Sequence, residues 1–321
     1  MASTETFIGR PALSKTIKPK LEGDRIISYS QYSKYFACPK SWELNYIHKH
    51  REPSESIDLV FGQAMHSTLQ QWLKVLYTVT VKKAMEMDLN ALLLAEMKRE
   101  YLERKEKFGR DFTTPEELTS YYASGVEILK FLVRKRSRYF RTKKMELISI
   151  EFPLMEQIHE DYPTVKMMGY IDLIFYDAIM EKYIVMDIKT SNRGWKDYKK
   201  KDDLTTDQVL IYKLYMCQLL KADIKDVDVM FFILKRNIDP DSLYPQKRIQ
   251  EFSPSNGKVS LNRVSKKLKQ FVEECFNFDG SYKTDRVYPQ FAGRNSKNCM
   301  FCPYSDREDL CPSKNRITEC G

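Results

Sequence analysis

Asp172 and the triplet Asp187-Ile188-Lys189 stand in the middle of otherwise apolar, alternating segments. A charged side chain in such a place is costly unless it is paired or bound to a metal ion, so both carboxylates need an explanation. Alternation along residues 183–190 puts Tyr183, Val185, Asp187 and Lys189 on one face of a strand and Ile184, Met186 and Ile188 on the other. In the preceding segment Asp172 alternates with Tyr170 and Ile174, and Gly169 permits a bend or a close backbone approach. Two carboxylates and an amine are therefore expected to converge. Such a group suits Mg2+ or Mn2+, which prefer oxygen donors, position a phosphodiester and lower the pKa of a water, while Lys189 stabilises charge or orients that water. A salt bridge from Lys189 to either carboxylate on a sheet edge explains the same spacing, and spacing alone does not choose.

Further residues bear on that choice. Glu151, on an earlier strand where it shares a face with Leu147 and Ser149, and His66, on a long helix, are both able to serve the same cation. A lone histidine on an amphipathic helix is also commonly a packed or surface residue. Gln208, Tyr212 and Tyr215 are spaced to share one stripe of a helix, a row that can track a phosphate backbone or pack into a core. Cys299-x2-Cys302-x8-Cys311 places three thiols in a short loop-rich tail, a metal-binding spacing. A closed site needs a fourth ligand from Cys38, Cys320, Cys275 or Cys217, and the last two lie among apolar helix neighbours and read as buried. Four thiolates satisfy tetrahedral zinc or an iron-sulfur cluster equally well.

The elements that must position these groups follow from periodicity. Residues 1–24 are polar, with Pro11, Pro19 and three lysines, and read as a basic arm. Residues 25–144 read as a helical region: a short helix capped by Ser28 or Ser30 and broken by Pro39, a long one carrying Met65, Leu69, Trp72 and Leu76, then stretches near 92–102 and 115–140. The mixed cationic and aromatic run 130–141 suits a nucleic-acid backbone or a solvated helix face. Residues 145–281 carry four strands, at 145–154, 165–176, 183–190 and 227–234. The second and third should form an antiparallel hairpin, and a helix from Thr205 to Leu220, opened by a Thr205-x-x-Gln208 capping box, should carry a parallel crossover to the fourth. Residues 282–321 form the cysteine-rich tail.

Composition narrows the class. With 53 Lys and Arg against 44 Asp and Glu, the chain of 321 residues has a formal charge of +9, which favours a polyanionic partner. No apolar run is long enough for a signal peptide or a membrane span, so a cytoplasmic protein without a membrane partner is expected. No Gly-rich phosphate-binding loop is present, so any motor must be another polypeptide.

The order of these features resembles the PD-(D/E)xK nuclease superfamily, in its RecB-like branch with CRISPR-associated adaptation nucleases and the AddB nuclease domain. The residues carrying the resemblance are Tyr29-Ser30-x4-Tyr35-x2-Cys38-Pro39, Phe61-Gly62-x3-His66, Gly169-Tyr170-Ile171-Asp172, Asp187-Ile188-Lys189-Thr190-Ser191, Gln208-x3-Tyr212 and the terminal cysteines. The resemblance implies an α/β, restriction-endonuclease-like fold: a mixed central sheet flanked by helices, with an N-terminal helical insertion and a C-terminal cysteine-rich tail. It implies that His66, Asp172, Asp187 and the Ile188 carbonyl bind Mg2+ or Mn2+ and that Lys189 is catalytic, with Glu151 beside them. Gln208 and Tyr212 would engage DNA. Cys38, Cys299, Cys302 and Cys311 would hold a 4Fe-4S cluster, with structural Zn2+ through Cys320 as the alternative. The literal Pro-Asp pair is absent, Ile171 standing before Asp172. The activity so implied is a metal-dependent exonuclease on single-stranded DNA in recombination, repair or phage DNA metabolism. The alternatives are an inactive DNA-binding or assembly subunit, and a spacer-acquisition nuclease. A helicase, recombination or integration partner is expected to supply substrate.

Overall fold

The computed structural model of the chain describes residues 23–51, 55–239, 243–244 and 246–318. Apart from Gly23 and Asp24, the expected N-terminal arm lies outside these residues, as does Cys320. The chain opens with strand β1 (Arg25–Ser28), which the sequence did not reveal, and continues into helices α1 (Tyr29–Ala37) and α2 (Pro39–Tyr46). Cys38 sits between them, its N–H bonded back to the Lys34 carbonyl, and Pro39 starts α2, where no intrahelical donor is needed. Ser28 precedes α1 but its side chain makes no capping bond.

A helical block follows: α3 (Ile57–Thr78), α4 (Val81–Glu86), α5 (Leu89–Phe108), α6 (Pro115–Arg134) and α7 (Arg136–Tyr139). Ser56 caps α3 and Thr114 with Glu117 closes a capping box on α6. Caps contribute about 1 kcal/mol each, whereas complete burial of Leu69, Trp72 and Leu73 contributes roughly 2 kcal/mol per side chain. Packing therefore holds α3 in place. The expected helix over 115–140 is interrupted at Lys135, and its aromatics turn inward: Tyr139 and Phe140 are core residues packed on Phe232. They are thus not available to stack on a base.

Strands β2 (Met145–Gln157), β3 (Val165–Asp177) and β4 (Lys182–Ser191) come next, then α8 (Asp197–Lys200), α9 (Asp203–Leu220), β5 (Val227–Lys235), β6 (Ile249–Phe252) and α10 (Lys258–Cys275). A two-stranded ribbon, β7 (Gln290–Phe291) with β8 (Arg316–Ile317), lies in the tail. The main sheet is mixed and has six strands. As expected, β3 and β4 form an antiparallel hairpin, closed by buried Asp177 accepting from Ile179 N–H and Met180 N–H, and β4 pairs parallel with β5 across α9. On the other side of β3 runs β2, antiparallel, and β1 pairs parallel with the first residues of β3. Strand β6 was not expected either.

One face of the sheet packs with α1, α9 and α10, the other with the helical block. Two local expectations fail. No Thr205-Gln208 capping box forms: α9 begins earlier, at Asp203, where the acidic pair Asp202 and Asp203 suits a helix N-terminus, and Thr205 Oγ1 donates to Asp202 Oδ2 at 2.7 Å. Leu147 and Ser149 do not share a face, because a bulge between them sets them opposite neighbouring residues, Phe175 and Ile174.

Candidate active site

The hairpin pairing of β3 and β4 ends at Leu173 and Met186, but β4 runs on beside β5 to Ser191. Since β1 occupies only the stretch of β3 as far as Met168, the sheet forks at residues 169–172. Asp172 and Asp187 stand on the two arms of this fork. The side chain of Asp172 spans it, Oδ2 accepting from Ile188 N–H at 2.6 Å. Asp187 is paired with Lys189, Nζ to Oδ2 at 2.8 Å. His66 reaches in from α3, its Nδ1 3.6 Å from Asp172 Oδ2. Its ring also meets a backbone acceptor of Ile188 that favours the charged imidazole, which must be the carbonyl, since only a carbonyl accepts.

Burial and the neighbouring Asp187 charge push the Asp172 carboxyl well above the usual carboxylate range, against the pull of Lys189. Burial also raises Asp187, again opposed by Lys189. Burial alone would lower the Lys189 ammonium, but Asp187 and Asp172 outweigh it, so Lys189 is held in its charged form. Burial, then Lys189, pushes His66 down to about 4, leaving a neutral imidazole at pH 7. Two buried acids with one cation form an arrangement short of positive charge.

The donors suit a hard divalent cation. Asp187 Oδ2 is buried, has no aligned hydrogen-bond donor among the described residues and is ion-paired with the Lys189 ammonium. Among the described residues no three His, Cys, Asp or Glu side chains form a ready metal cage. That is no obstacle for Mg2+, which is typically held by one or two carboxylates and keeps several waters.

The remaining residues divide. Glu151 falls opposite Asp172 in the β2–β3 register, between the pairs Ile150 with Leu173 and Phe152 with Ile171. It has φ +48°, a left-handed conformation costing on the order of 1 kcal/mol or more, and accepts a hydrogen bond from Gln70 Nε2. Gln208 Nε2 donates to Tyr212 Oη at 3.0 Å, and the Tyr212 phenol is kept protonated by burial and by Asp187. Tyr212 and Tyr215 are both buried in the core, so the tyrosines of the stripe pack, and only Gln208 of the three is half-exposed. Tyr29, unmarked by sequence except in the Tyr-Ser pair, donates to the Leu204 carbonyl and is near enough to Asp187 to be affected by its charge. Lys199, in the basic stretch after β4, lies over the Trp195 ring, its Nζ 5.0 Å from the centroid, and feels the charge of Lys189. An amphipathic reading overlooks both, because neither lies on a long periodic element.

Cys38, Cys299, Cys302 and Cys311 line a single cavity, and none is in a disulfide. Cys217 and Cys275 are buried elsewhere in the main core. Among the described residues no three of these thiols form a ready metal cage. By chemistry alone four thiols of this kind suit zinc or an iron-sulfur cluster.

No curated protein matches the chain. Among solved structures it is similar to one described as "Crystal structure of SSO0001", at 14% identity, with 92% of this chain and 89% of that chain covered. The TM-score of 0.35 is too low for that likeness to bear on the fold. Residues 26–311, which include the fork and its carboxylates, match the PD-(D/E)XK nuclease superfamily, and the chain belongs to that superfamily.

Proposed function

We propose that this protein is a RecB-like nuclease that hydrolyses phosphodiester bonds of single-stranded DNA, beginning at an end. The observation carrying this reading is the convergence of Asp172, Asp187 and Lys189 at the sheet fork with His66 and the Ile188 backbone. Superfamily membership supplies the nuclease chemistry and, with it, the usual use of Mg2+ or Mn2+. Asp172, Asp187, the Ile188 carbonyl and the neutral His66 ring would hold the ion, which when bound polarises the phosphodiester and activates water. Lys189, kept charged by its carboxylate neighbours, orients the nucleophile and stabilises the negative charge that develops on phosphate oxygens. Glu151 adds negative potential beside Asp172, and Gln208 with Tyr212 offers donors to the strand. Burial of the carboxylates keeps bulk water from screening these interactions. Supply of the strand by a helicase or a recombination partner is part of this reading.

The test compares end-labelled linear with circular single strands in Mg2+ or Mn2+. Loss of label from linear DNA with circles left intact is expected, and equal cleavage of both would overturn end dependence. Asp187→Ala and Lys189→Ala should each lower cleavage at least a hundredfold with DNA binding retained. A wild type that binds DNA but cleaves no better than Asp187→Ala would identify a DNA-binding or assembly subunit instead.

The four cysteines are proposed to hold a 4Fe-4S cluster that staples the tail to the start of the fold. The alternative is structural Zn2+, which four thiolates satisfy equally well. Anaerobically purified protein should be brown with a broad absorbance in the visible blue; a colourless, zinc-containing protein would replace the cluster with zinc.

A further inference from the structure

We propose that the cleft between α3 and β2 is a subsite for a nucleotide flanking the scissile phosphate, binding base and backbone together. This rests on the nuclease reading above. The cleft has a volume of about 430 Å3 and is lined by Ser67, Gln70, Gln71, Lys74 and Thr78 of α3 and by residues 147–150 of β2. Ligand pockets begin at roughly 300 Å3, so one nucleotide can be accommodated. The lining residues of α3 recur at helical spacing and form a polar stripe starting just after His66.

Position ties the cleft to the chemistry. Gln70 lies one turn beyond His66, lines the cleft and donates to Glu151, which stands opposite Asp172. The trough thus ends at the carboxylates. Its strand wall is irregular on both sides of Ile150: a bulge between Leu147 and Ser149, and the left-handed backbone of Glu151. Bulges re-aim side chains next to active sites. Among the described residues strand β2 pairs only with β3, so no further strand of these fills the trough from outside.

The lining matches a nucleotide piece by piece. Leu147 and Ile150 are half-buried on the sheet face that packs with the helical block and offer alkyl surface to the face of a base. The Nε2 of Gln70 already donates to Glu151 and that of Gln71 to Glu96 at 2.9 Å, which leaves each amide its second N–H and its carbonyl oxygen for the edge of a base. Lys74 is exposed and has no carboxylate partner among the described residues, leaving its ammonium for a phosphate. Buried Gln70 makes a floor, and exposed Gln71, Lys74 and Thr78 make a wet rim, a trough open to a strand passing along it.

The test measures the affinity of the full chain for a fluorescein-labelled single-stranded 12-mer and for an all-abasic 12-mer, without added Mg2+ or Mn2+. Base stacking should favour the normal strand about tenfold in the wild type. Gln71→Trp, which fills the trough from an exposed position, should change that ratio at least threefold while leaving abasic binding unchanged. A fall means that bases are shut out, and a rise means that they stack on the indole; either places them in the cleft. An unchanged ratio in a folded Gln71→Trp protein would overturn the proposal. Lys74→Glu supplies the independent variant: it should weaken both strands at least fivefold, and unchanged affinities would likewise overturn the proposal. Metal-dependent cleavage by the wild type is measured in parallel. If it persists while the variants behave as wild type, only the cleft is wrong; if the wild type never cleaves, the nuclease reading falls and the subsite with it.

Discussion

Asp172 accepts a hydrogen bond from Ile188 across the fork, yet burial and Asp187 resist its ionisation. These two effects separate in Asp172→Asn, which keeps an acceptor oxygen and removes the charge. A carboxyl with a raised folded pKa contributes stability below its unfolded pKa, near 3.9, and loses it as pH rises through the folded value. Metal-free Asp172→Asn should therefore match the wild type in stability near pH 4 and exceed it by about 1–3 kcal/mol at pH 8. Thermal unfolding in EDTA across that range measures the difference. A wild type that stays as stable as the variant at pH 8 would mean that the Lys189 ion pair already compensates both carboxylates. The variant should lose metal-dependent cleavage throughout.

Two glycines show how closely the elements approach one another. A Cβ on Gly125 of α6 would lie 2.6 Å from Leu93 Cδ2 of α5, with Phe61 and Met65 of α3 at 3.1 and 3.2 Å. Gly125→Val should therefore destabilise the helical block by about 1–3 kcal/mol through overpacking, measured as a lower urea midpoint. Gly169 is different, because the nearest atoms its Cβ would meet all belong to Tyr212, the first at 3.1 Å. Gly169→Val should displace Tyr212 from its place beside Gln208 and lower kcat/KM about tenfold or more, with a smaller stability loss than Gly125→Val. A fully active Gly169→Val protein would remove Tyr212 from the list of groups that touch DNA. Sequence patterns at this scale were legible where they are local. The strands around Asp172 and Asp187, the hairpin turn and the crossover helix all follow from runs of neighbouring residues. β1 and β6 escaped because four residues are too few to show a period, and their pairing with β3 and β5 is a long-range event.

The whole molecule is closed on itself near the cysteines. Asn298 Nδ2 donates to the Ala37 carbonyl at 2.6 Å, Tyr304 Oη to Asn45 Oδ1 at 2.6 Å, and Lys40 N–H to the Pro289 carbonyl at 3.1 Å. The small apolar group joining Leu44 to Tyr304 and Cys311 adds little to these bonds, so the thiols should be the main clip. Replacing Cys302 and Cys311 by Ala should make residues 290–318 the first site of limited proteolysis, with the sheet still protected, as read by mass spectrometry. A tail as resistant as in the wild type would show that hydrogen bonds suffice. The sequence by itself determined that two acids and a lysine ride on adjacent strands, because alternation is written in neighbouring positions. Only the tertiary structure decided that the sheet forks there, that His66 and the Ile188 backbone meet in the fork, that Glu151 is turned onto Gln70, and that Cys38 shares one cavity with the three thiols of the tail. Those outcomes depend on contacts between segments far apart in the chain, where packing and pairing, and not local periodicity, set the distances.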